Sequence, residues 1–68
     1  MEHYTTDVVY TLLKLGGETV LGASQTMEGI LKYITHLDKT KFRIDLYLDG
    51  LYVSSFSYRP DLDVWGNF

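Results

Sequence analysis

The sequence predicts one α+β domain of ββαββ order, a four-stranded, mostly antiparallel sheet with a single helix packed on one face. Three observations carry this. A run with apolar residues at every second position, Lys41 to Leu48, ends at Asp49-Gly50. A weaker alternating run precedes Gly16-Gly17, and between the two an apolar stripe recurs at helical spacing. Residues 1–68 are expected to form one domain, with residues 60–68 as a tail that packs back or docks on a partner.

In chain order, strands are expected at about Val8 to Leu15 and at Glu18 to Ala23, with Gly16-Gly17 as the turn. A helix follows, because Met27, Ile30, Leu31, Ile34 and Leu37 fall at i, i+3, i+4, i+7 and i+10. Thr26 is its expected N-cap, and Glu28 suits the positive end of the helix dipole. Gly29 is out of place by propensity, costing about 1 kcal/mol relative to Ala, unless the helix approaches the sheet closely there. Asp38 to Thr40 links to the second hairpin. There Asp49-Gly50 demands a type I′ turn, Leu51 to Tyr58 is the return strand, and Pro60 ends the ladder because it has no N–H to donate. Shifting the chain to superpose Gly16-Gly17 on Asp49-Gly50 also aligns Leu13, Leu15, Val20 and Ser24 with Leu46, Leu48, Val53 and Ser57. Internal duplication and the general likeness of hairpins explain this equally well.

Two-residue turns fix the facing pairs. Leu48–Leu51, Leu46–Val53, Ile44–Ser55 and Phe42–Ser57, with Leu13–Val20 and Val9–Ser24, are expected under the helix as the core. The other face then carries Tyr47–Tyr52, Asp45–Ser54, Arg43–Phe56 and Lys41–Tyr58, continued by Val8, Tyr10, Leu12, Leu21 and Ala23. That face is more apolar than water favours, so a covering is expected: the tail, a second copy, or a different partner. The tail holds the only Trp, Trp65, and ends in Phe68. Its two readings are a plug over the open face and an aromatic anchor for a partner.

Composition narrows the function. A chain of 68 residues buries only about 60% of the surface its unfolded form exposes, and with no Cys it has neither disulfides nor thiolate zinc to compensate. Oligomerisation or partner binding is left, and a reducing, cytoplasmic setting is the default expectation. The N-terminus Met1-Glu2-His3-Tyr4 does not open a signal peptide, and no segment has membrane-spanning length. His3 and His36 are the only imidazoles; His36 near Asp38 reads as a surface cation at a helix end, not a metal ligand. Ser54, Ser55 and Ser57 have no evident base, Gly16-Gly17 does not precede a helix as a phosphate loop would, and Asp45, Asp49, Asp61 and Asp63 lack calcium-loop spacing and read as solubilising charges. No enzyme, cofactor or metal is expected.

The expectation is a non-enzymatic protein-interaction module, possible as a homodimer, whose partner-binding residues are Tyr10, Tyr47, Tyr52, Phe56, Tyr58, Trp65 and Phe68. In size, missing chemistry and aromatic face the chain resembles small phage-type inhibitors that occupy a host or defence factor, a likeness of general character and not of motif. The alternative is a nucleic-acid-binding regulator, its bases stacked on the same face beside Lys41, Arg43 and Arg59. A net charge of −3 argues against it.

Overall fold

A computed structural model describes residues 7–67. The strands are β1 (Val8–Lys14), β2 (Val20–Ser24), β3 (Phe42–Leu48), β4 (Leu51–Arg59) and β5 (Val64–Gly66). They form one antiparallel sheet in the order β2-β1-β3-β4-β5. The α+β class stands, with a fifth strand that the sequence reading did not contain. That strand comes from the tail: Pro60 to Asp63 turn the chain, Asp63 taking a positive φ of 53°, and Val64 and Trp65 pair with Arg59 and Tyr58. The tail therefore extends the sheet at its edge instead of plugging the open face.

The helix α1 (Met27–Leu31) continues as a 3₁₀ turn, Lys32–Ile34, and stops there, so Leu37 lies beyond it and is exposed. Thr26 is the N-cap: its Oγ1 accepts from the Gly29 N–H at 3.0 Å. Gly29 is explained by close approach, since a Cβ there would sit 2.0 Å from Ser24 Oγ and 2.8 Å from Ser24 Cβ. A second 3₁₀ turn, Lys39–Lys41, is capped by Asp38. Its carboxylate accepts from the Thr40 hydroxyl and N–H, which, with the charge of Lys41, hold it below the usual aspartate value.

The two turns are built differently. Asp49 (φ 51°) and Gly50 (φ 81°) form the two-residue type I′ turn the sequence predicts. Between β1 and β2, however, Gly17 N–H donates to Lys14 carbonyl across a turn with Gly16 at φ 79°, and residues 17–19 follow before the ladder resumes. The first connection is a five-residue loop, not a two-residue turn.

Both hairpins also contain a bulge, and this rearranges the faces. In β4, Tyr47 pairs with Tyr52 but Leu46 pairs with Ser54, so Val53 is the extra residue; in the first hairpin Leu13 pairs with Val20 but Leu12 with Gly22, so Leu21 is extra. Because side chains alternate, one extra residue reverses every position beyond it. Phe56 comes opposite Ile44 and joins the helix side, while Ser55 comes opposite Asp45. In the central pair, β1 meets β3 with Leu12 opposite Ile44 and Tyr10 opposite Leu46. The core is thus Leu12, Ile30, Ile34 and Ile44, with Tyr10, Met27, Leu31, Phe42, Phe56 and Trp65 packed against it. Val9 and Leu13, expected in the core, lie on the face away from the helix.

A single helix of less than two turns cannot cover five strands. The radius of gyration is 12.8 Å, against about 11 Å for a compact chain of this size, and the molecule measures 47 × 25 × 20 Å. No helix among the described residues is long and apolar enough to cross a membrane.

Candidate functional site

Of the seven residues expected to bind a partner, the six described ones do not form one surface. Tyr47 and Tyr52 do meet on the outer face, ring centroids 5.9 Å apart and edge to face. Tyr10, Phe56 and Trp65 are on the other side, against the core cluster. Tyr58 shares the face of Phe56 and packs on Trp65 at 5.5 Å, with Lys39 Nζ 5.2 Å above its ring. Its hydroxyl donates to Asp63, and this bond, with partial burial and the carboxylate charge, raises the phenol above its ordinary value of 10.0. Phe68 lies outside the described residues. The expectation of one aromatic open face is corrected by the bulge at Val53 and by the β1–β3 register.

In place of an aromatic sheet face stands a polar network. Asp45 is only 6% exposed although it points away from the helix, and its Oδ1 accepts from Ser55 Oγ at 2.7 Å and Arg43 Nε at 3.3 Å. Ser55 Oγ in turn is 2.7 Å from Tyr52 Oη. Arg43 donates through its Nη1 to the carbonyls of Gly17 at 2.6 Å and Lys14 at 3.2 Å, which draws the β1–β2 loop over this face beside Leu13. Asp45, read from sequence as a solubilising charge, is a buried acceptor that ties β3 to β4 and, through Arg43, to the β1–β2 loop. Nothing in the sequence near it signals this, because Ser55 reaches it only through the bulge.

Exposed apolar side chains lie at several places, among them Leu15, Val20 and Leu21 by the first loop, and three in succession lie at the opposite end. Leu51 is 72% exposed, Tyr52 57% and Val53 50%, consecutive at the start of β4. β5 pairs only with Ser57 to Arg59, so the outer edge of β4 before Ser57 has no strand partner among the described residues. The alternation in the sequence assigns Leu51 and Val53 to the core; Val53 is instead the extra residue of the bulge, and Leu51, paired with Leu48 ahead of the bulge as expected, stays exposed. No group of three metal-ligating side chains occurs among the described residues, and His36 is exposed in the turn after the 3₁₀ segment. His3 is outside them. No known family, characterised protein or solved structure matches the chain.

Proposed function

We propose that this chain is a non-enzymatic protein-interaction module of the inhibitor type, acting by occupying a surface of another protein through the start of β4. The observation that carries the reading is the exposed run Leu51-Tyr52-Val53 on a strand edge with no partner, flanked by the Tyr47 ring. Burying such side chains fully is worth about 1.5–3 kcal/mol each. Half-exposed as two of them are, the three together supply roughly 4 kcal/mol before ordering costs. A second copy of the chain is one partner that fits.

Of the three cations the nucleic-acid alternative draws on, Lys41, Arg43 and Arg59, the two arginines are engaged within the chain. The Arg43 guanidinium is committed to Asp45 and two carbonyls, and Arg59 pairs with Asp61, whose carboxyl it holds below the usual range.

The test is a cross-linked pull-down with the full chain and with a Tyr52→Lys/Val53→Lys variant whose circular dichroism matches the parent, alongside sedimentation equilibrium of both. The expected result is a retained protein, or a doubled mass, that the variant loses at least about tenfold. Equal recovery and equal mass for parent and variant overturn the proposal.

A further inference from the structure

The opposite edge of the sheet carries a surface of a different kind. β2 pairs with β1 on one side only, so alternate backbone N–H and C=O groups along it face outward with no strand to receive them. The bulge at Leu21 leaves Gly22 to Ser24 regular. Above this stretch lies a groove of about 340 Å³ lined by Gly29, Lys32 and Tyr33. Two glycines shape it: Gly29 seats the helix on Ser24, and Gly22 admits the Tyr33 ring, whose Cζ would be 2.9 Å from a Cβ there. Tyr33 remains 54% exposed. Lys32 is exposed and makes no ion pair among the described residues, Glu28 one turn before it lying beyond ion-pair reach.

An unpaired strand edge beside a mostly apolar groove with one unneutralised cation matches an extended peptide that adds a strand and places alternate side chains in pockets. We propose that β2 and this groove bind an extended, acidic segment of another protein by strand addition, with one apolar side chain against Tyr33 and Gly29 and a carboxylate facing Lys32. A second copy offering its own β2 is the poorer occupant, since Val20-Leu21-Gly22-Ala23-Ser24 contains no acid to meet Lys32. The site is separate from the β4 run and does not depend on it.

The experiment pans a phage-displayed library of random linear peptides against the full chain and measures synthetic copies of the winners by fluorescence anisotropy. Winners are expected to carry an apolar residue with an Asp, a Glu or a free C-terminal carboxylate nearby. They should slow amide exchange at Gly22 to Ser24, and lose affinity about tenfold or more against Lys32→Glu, the loss of a charge-assisted contact at an exposed site. N-methylation of alternate peptide amides should abolish binding, because it blocks the ladder. Lys32 is exposed, so the variant retains the fold, and circular dichroism verifies this. The proposal is overturned by a library without binders, by winners that protect Leu51 to Val53 instead, by affinity indifferent to Lys32→Glu and to N-methylation, or by β2 protection arising from a doubled mass without peptide. A null result here leaves the β4 pull-down unaffected, so the two proposals fail separately.

Discussion

Gly29→Ala sets helix propensity against packing, and the two give opposite signs. By propensity alone the change stabilises a helix by up to about 1 kcal/mol, since Gly loses the most backbone freedom on folding. In the structure the new methyl group falls 2.0 Å from Ser24 Oγ, 2.8 Å from Ser24 Cβ and 3.1 Å from Thr26 Oγ1. The hydroxyl can rotate away, but Cβ is fixed to the β2 backbone, so the helix must lift. Overpacking of this kind costs about 1–3 kcal/mol, and lifting also strains the Thr26 cap on the Gly29 N–H. The net expectation is destabilisation by about 1–2 kcal/mol, read as a lower urea midpoint at unchanged slope. Ser24→Gly removes both Ser24 atoms, and in that background Gly29→Ala should be neutral or stabilising, a coupling of more than about 1 kcal/mol between the two sites. Stabilisation by Gly29→Ala in the parent background would refute the close seating of α1 on β2, and with it the shape of the groove at that edge.

Three further outcomes are expected. Gly50→Val should destabilise by more than about 1 kcal/mol in urea unfolding; a Cβ there meets nothing within 4 Å, so the whole effect comes from the positive φ of 81°. Asp45→Ala removes the acceptor of both Arg43 and Ser55 and should lower stability by about 2–3 kcal/mol, below the value for a fully buried pair because the Arg43 side chain is 23% exposed; a loss under about 0.5 kcal/mol would show that water replaces the carboxylate. The Tyr58 phenol is raised above 10.0, so its protonated form is the one the folded state favours: the contribution is complete below pH 10.0 and is lost as pH rises through the raised value. Ultraviolet titration should show the Tyr58 phenol ionising late, and Asp63→Asn should return it toward the ordinary value; an unchanged titration refutes the Tyr58–Asp63 bond.

What local chemistry determines is legible in the sequence. Asp49-Gly50 has one good backbone solution, so the second turn, the first facing pairs Leu48–Leu51 and Tyr47–Tyr52, and the inward set Phe42, Ile44 and Leu46 followed from it. Thr26 as N-cap followed in the same way, from a hydroxyl one position before the apolar stripe. The helix was read too long because Leu37 keeps the spacing, yet nothing in the sheet is left for it to cover, and its exposure records that. Between hairpins the information is non-local. Whether Leu12 or Leu13 faces the helix depends on how β1 slides along β3, and an alternation as weak as Val8-Val9-Tyr10-Thr11-Leu12-Leu13 has an apolar residue for either face.

The bulge at Val53 shows why the partner-binding set came apart. Without it, Ser55 and Ser57 would enter the core under the helix, and Phe56 would stand on the outer face opposite Arg43. With it, Phe56 fills the space against Ile44, and Ser55 Oγ reaches Asp45. The unfavourable burial of serine hydroxyls in the core is thereby avoided, at the expense of one lost ladder position. The signal for this was present as a phase change, apolar residues at Leu51 and Val53 and then at Phe56 and Tyr58. Read as one continuous strand, that change looks like an aromatic outer face. Read as a bulge, it places Ser55 opposite the buried Asp45 and takes Val53 out of the ladder, beside the exposed Leu51 and Tyr52 on which the proposed interaction surface rests.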